Sequence, residues 1–158
     1  MLKYADVKVV FREVPDEIAL AINITNCPCH CKGCHSEYLA NDFGEPLDEV
    51  SLDKLIEIHP GISCVSFMGG DAEPDAVFRL AAHVREKGLK TCWYSGRPLP
   101  EDLSPLGCLD YVKTGPFIPE CGPLDSPTTN QRFYRVGRDA EKKEICLEDV
   151  TYLFQKKI

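Results

Sequence analysis

Apolar positions recur along this chain with two different periods. Asp6 to Arg12 (DVKVVFR) is rich in valine and ends before Pro15-Asp16, a turn signal. Ile18 to Thr25 (IALAINIT) alternates apolar and small residues. Both segments read as strands, joined as a hairpin. The period then lengthens. Leu52, Leu55, Ile56 and His59 share one face of a helix that Ser51 can cap and Pro60-Gly61 stops. Ile62 to Met68 (ISCVSFM) is a buried strand, followed by a turn at Gly69-Gly70-Asp71. Val77, Leu80, Ala81 and Val84 form the inner face of a second helix, from Pro74 to Lys87. Proline suits its first turn and Gly88 its C-terminal cap. Leu89 to Tyr94 and Leu109 to Lys113 are further strands, closed by Ser95-Gly96-Arg97-Pro98 and Thr114-Gly115-Pro116. Gln131 to Val136 is another, turning at Gly137-Arg138-Asp139, and Glu144 to Phe154 is ambiguous. Strand and helix alternate from Ile18 onward. That order predicts an α/β fold of right-handed βαβ units with a mostly parallel sheet. In such sheets ligands sit beyond the carboxyl ends of the strands.

Composition narrows the function. A chain of 158 residues predicts one domain over 1–158 with a core that needs no disulfide staples. The net charge of −7 lacks the basic surplus of a nucleic-acid binder. No apolar run approaches the roughly 20 residues that span a bilayer. The first residues, Met1 to Asp6, lack the apolar core of a signal peptide, so a cytoplasmic protein is expected. Nine cysteines are many for such a protein, and an odd number does not close into disulfides. Four of them crowd between Cys27 and Cys34. The others, at 64, 92, 108, 121 and 146, read as structural thiols.

The crowded segment is Asn26-Cys27-Pro28-Cys29-His30-Cys31-Lys32-Gly33-Cys34-His35. Cys27, Cys31 and Cys34 form Cys-x3-Cys-x2-Cys. Three thiolates on one loop can hold three irons of a [4Fe–4S] cubane and leave the fourth open to a substrate. An open iron is what the chemistry of S-adenosylmethionine (SAM) requires. Cys29 leaves other patterns open: it can replace Cys27 or Cys31 as a ligand. It can also join Cys31, Cys34 and His30 or His35 in a closed zinc site.

The motifs at Met68, Ser95 and Lys113 stand at the carboxyl ends of predicted strands. At Met68-Gly69-Gly70-Asp71 the glycines admit a ligand along a strand end, and a carbonyl and a carboxylate can receive an ammonium group. The same residues also make an ordinary strand-to-helix turn. Ser95 can bond a ribose or carboxylate, and Gly96 can let a nucleoside approach; Lys113 can pair with a carboxylate. His30 and His35 flank the thiolates, whereas His59, His83 and Trp93 read as structural. Asn130-Gln131-Arg132 is polar and precedes a strand, with no physical reason to choose among its roles.

Taken together, the cysteine loop, Met68-Gly69-Gly70-Asp71, Thr114-Gly115-Pro116-Phe117 and Asn130-Gln131-Arg132 resemble the activating proteins of anaerobic (class III) ribonucleoside-triphosphate reductases, a small radical SAM family. Gly33 before the last cysteine is shared with those activators, and Cys29 is extra. The resemblance implies an incomplete (β/α) barrel. It implies Cys27, Cys31 and Cys34 as cluster ligands, and Met68, Gly69, Gly70 and Asp71 as receivers of the methionine end of SAM. It further implies reductive cleavage of SAM to a 5′-deoxyadenosyl radical, which takes hydrogen from a glycine of the reductase. Flavodoxin or ferredoxin is the expected electron donor. Activation of a different glycyl-radical enzyme, or a non-catalytic zinc-binding interaction module, are the alternatives.

Overall fold

The computed structural model describes residues 1–29, 37–139, 141 and 144–155. Its strands and helices run β1 (Lys3–Val10), β2 (Ala19–Ile24), β3 (Glu45–Pro46), α1 (Glu49–Glu57), β4 (Cys64–Met68), α2 (Pro74–Glu86), β5 (Lys90–Tyr94), β6 (Tyr111–Thr114), β7 (Arg132–Asp139) and β8 (Glu144–Asp149). Short 3-10 turns fall at Glu37–Ala40, Ser104–Cys108 and Thr151–Phe154. All eight strands form one sheet in the order β3-β1-β2-β4-β5-β6-β7-β8.

The sheet is mixed, and this overturns the expected incomplete (β/α) barrel with a mostly parallel sheet. Parallel pairing is confined to β2-β4, β4-β5 and β5-β6. The pairs β3-β1, β1-β2, β6-β7 and β7-β8 are antiparallel. A parallel pair needs a long crossover, usually helical, whereas a short connection returns the chain antiparallel. The β1-β2 and β7-β8 links are short, and residues 115–131 carry no helix between β6 and β7. Strand–helix alternation therefore spans only β2 to β6, and the described residues contain two α-helices.

Local readings fare differently. Helix α1 starts earlier than Ser51, because Asp48 is its N-cap. The Asp48 carboxylate accepts from Ser51 N at 2.8 Å, and Ser51 Oγ accepts from Asp48 N at 2.9 Å. That reciprocal box satisfies two helix-end N–H groups. Helix α2 starts at Pro74, and Gly88 follows it at φ +85°, as a C-terminal glycine should. The turn expected at Gly137-Arg138-Asp139 is instead strand. Gly137 pairs with Cys146, and a Cβ on Gly137 would meet Cys146 Sγ at 3.1 Å.

Both helices pack on one sheet face. Val77, Leu80, Ala81 and Val84 of α2, with Leu52 and Leu55 of α1, bury against Ile22, Val65, Phe67 and Trp93. Each fully buried large aliphatic side chain there stabilises the fold by roughly 1.5–3 kcal/mol. The opposite face is covered by irregular chain: Val14, Leu124 and Val150 pack on Ala21, Cys64, Cys92 and Phe133. The free rim at the carboxyl ends of the parallel strands is where the polar motifs converge.

Candidate metal centre

The loop after β2 begins with a fixed geometry. Asn26 adopts φ +62°, a conformation asparagine tolerates better than most side chains. Its amide donates to Asp42 Oδ1 at 3.1 Å, and Cys27 N donates to Leu39 O at 3.0 Å. Lys3 also bonds Asp42 at 2.8 Å, and these donors hold that carboxyl below its usual range. The chain thus enters and leaves the cysteine loop against one support. The expected ligands Cys31 and Cys34, with His30 and His35, lie outside the described residues.

A cavity of about 320 Å³ opens at the strand ends. Its lining includes Cys27, Cys29, Met68, Gly69, Asp71, Ser95 and Lys113. Of the described residues expected to contact SAM, only Gly70 is outside this lining. Gly69 and Gly70 both have positive φ, +109° and +94°. A Cβ on Gly70 would meet Val77 Cγ2 at 2.5 Å. That glycine therefore serves close packing of α2 on the sheet. The Gly69 carbonyl accepts from Trp93 Nε1 at 2.7 Å, which gives the buried indole its partner.

Asp71 is the hub of this rim. It is 3% exposed. Its carboxylate accepts from Ser95 Oγ at 2.5 Å, from Gly96 N at 3.0 Å and from Cys29 Sγ at 3.6 Å. Burial of a carboxylate is tolerated because it is bonded on both oxygens. Gly96 is the seat of the Cys29 thiol: a Cβ there would lie 2.7 Å from Cys29 Sγ. The sequence leaves Cys29 unassigned and reads Gly96 as space for a nucleoside. Lys113 is buried on β6 and donates from Nζ to Gly115 O at 2.8 Å and Ser95 O at 3.2 Å. Gln131, just before β7, also lines the cavity and is buried. Its only sequence signal was its place in a polar triplet ahead of a strand.

The remaining motifs stand apart. Trp93 is core and Arg97 is exposed. His83 Nε2 bonds Asp53 Oδ1 at 2.7 Å and so ties α2 to α1. His59 lies beyond the end of α1 at Glu57, and its Nδ1 bonds Leu55 O at 2.8 Å. Cys64 and Cys92 are fully buried, and burial pushes both thiols well up from their ordinary range. No helix among the described residues is long and apolar enough to cross a membrane.

Two thiols, of Cys27 and Cys29, border a cavity at the open ends of parallel strands. Thiolates are the ligands that iron–sulfur clusters take; Cys27 is the one expected ligand among the described residues, which hold no group of three metal-ligating side chains. The family model described as a 4Fe-4S single cluster domain matches residues 18–118, from β2 to just past β6. The chain belongs to that family and is an iron–sulfur protein. No curated protein and no solved structure matches the chain.

Proposed function

We propose that this chain is a radical SAM activating enzyme that installs a glycyl radical in an anaerobic ribonucleoside-triphosphate reductase. One observation carries the reading: residues picked for SAM chemistry from three strand ends line the cavity that also receives Cys27. In this reading Cys27, Cys31 and Cys34 hold the cluster. When bound, cluster and SAM supply a single-electron cleavage whose 5′-deoxyadenosyl radical removes hydrogen from the partner's glycine.

The chain's own residues bind and orient. A carboxylate has about four acceptor positions. Asp71 thus keeps capacity beyond its three protein donors and, with backbone at Gly69, receives the ammonium group of the methionine end. Lys113, anchored by two carbonyls, presents its charge to the methionine carboxylate. Ser95 sets the Asp71 carboxylate in place. Apolar walls at Met68, Phe117 and Leu124 keep water from a reactive primary radical. Flavodoxin or ferredoxin is the proposed electron source.

The test mixes anaerobically reconstituted, reduced protein with SAM and the reductase and records electron spin resonance. A glycyl doublet that needs all three components is the expected result. SAM cleavage without a doublet would overturn this partner and point to a different glycyl-radical enzyme.

A further inference from the structure

The loop after β5 carries an arginine to which the proposed function gives no task. Arg97 is exposed, and its backbone is held on both sides. Its N–H donates to Ser95 Oγ at 3.1 Å, and its carbonyl accepts from Gly115 N at 2.8 Å. Its guanidinium, in contrast, has no ion pair or hydrogen bond among the described residues. Asp102, in the same loop, is engaged elsewhere: it accepts from Ser104 N at 3.0 Å and from Ser104 Oγ at 2.9 Å.

Arg97 lines a second cavity, of about 180 Å³. Its apolar walls come from Phe78 of α2, Trp93 of β5, Val112 of β6, Leu106 and Leu99. Trp93, Leu106 and Val112 belong to the core under the helices, whereas Met68 and Tyr94 of the first cavity pack with the opposite face. The two cavities are therefore separate, although Ser95 lines both. The rings of Phe78 and Trp93 meet edge-on, with centroids 5.2 Å apart. Pro98 and Pro100 flank Leu99, and their fixed φ stiffens that wall. Among the described residues Arg97 is the one charged side chain of this lining, and no carboxylate shares it. A volume below the roughly 300 Å³ at which drug-sized pockets begin suits a single ring and not a nucleoside. Apolar walls favour a hydrocarbon body. An unpaired guanidinium on the exposed side favours a carboxylate, which it can bond through two N–H groups.

We infer that this second cavity binds a small carboxylic acid with a hydrocarbon body about the size of one ring, its carboxylate held by Arg97. The site is distinct from the cysteine-bordered cavity, and its test needs neither SAM nor the reductase. Equilibrium dialysis of anaerobically reconstituted protein tests it with 3-phenylpropanoate, the uncharged 3-phenylpropanamide and acetate as probes. The aromatic acid should bind saturably, and about ten-fold or more tightly than its amide. Acetate, which lacks the apolar body, should bind far more weakly than either. Trp93 is the only tryptophan of the chain, so its emission should change as the aromatic acid saturates the site. Arg97→Gln, a change at an exposed position, should bind acid and amide alike. No saturable binding of the acid would overturn the inference. So would equal affinity of wild type for acid and amide, acetate binding as tightly as the aromatic acid, or an undiminished preference in Arg97→Gln. Saturation that leaves Trp93 emission unchanged would put the acid elsewhere and overturn it too.

Discussion

Cys29 sits between expected cluster ligands, yet its thiol rests on Gly96 and donates to Asp71 at 3.6 Å. A side chain at position 96 would collide with that sulfur. Gly96→Ala should therefore disturb the cysteine loop and lower the iron retained after anaerobic reconstitution. Adding Cys29→Ala to Gly96→Ala should restore iron toward the wild-type content, because the colliding atom is gone. Iron and sulfide analysis of the two single variants and the double variant checks this coupling. If Cys29 were itself a ligand, the double variant would hold no more iron than the single. The buried thiols behave differently. Cys64 and Cys92 are held protonated by burial and shielded from solvent, so iodoacetamide at about pH 8 should leave them unmodified in the folded apoprotein while exposed Cys146 reacts. Their folded pKa lies above the unfolded one. Their contribution to stability is therefore full below the unfolded thiol range, near 8.5, and fades as pH rises through it and beyond. Denaturant midpoints measured across that range should fall with pH. Residue identity alone could flag Cys29 as surplus. It could not show that Gly96, far along the chain, makes its seat.

At the scale of elements, the periodic segments were the legible ones. Val77, Leu80, Ala81 and Val84 are all buried on α2, as their spacing requires. Hydrophobic period reports burial directly, whereas a cap depends on which polar group turns back. That is why Asp48, not Ser51, caps α1. Asp48→Ala should remove the cap and lower the thermal midpoint. The paired glycines after β4 show the same limit. Sequence places a permissive turn at Gly69-Gly70, but only the packing of α2 says what each glycine does. Gly70→Ala would set a Cβ 2.5 Å from Val77 Cγ2 at φ +94°, and it should destabilise the fold by roughly 1–3 kcal/mol. Chemical denaturation should register that loss, and a stability equal to wild type would refute the packing role.

Over the whole molecule, parallel pairing in the middle of the sheet and the β1-β2 hairpin followed from the sequence pattern, and the other antiparallel pairs did not. Four consecutive strands, β2, β4, β5 and β6, run parallel and bring the loops after residues 24, 68, 94 and 114 to one rim. That is enough to gather Cys27, Gly69, Asp71, Ser95 and Lys113 on one cavity. The remaining antiparallel pairs, of β3, β7 and β8, arise from connections without helices, which carry weak periodic signals and so escaped a reading based on pattern. Membership of the 4Fe-4S single cluster family fixes the cofactor class. The use made of the cluster is the central claim, and product analysis tests it most directly. Anaerobic, cluster-loaded protein given dithionite and SAM should form 5′-deoxyadenosine and methionine in equal amounts, and Cys27→Ala should form neither. A fully loaded, fully reduced wild-type protein that leaves SAM intact would contradict the account.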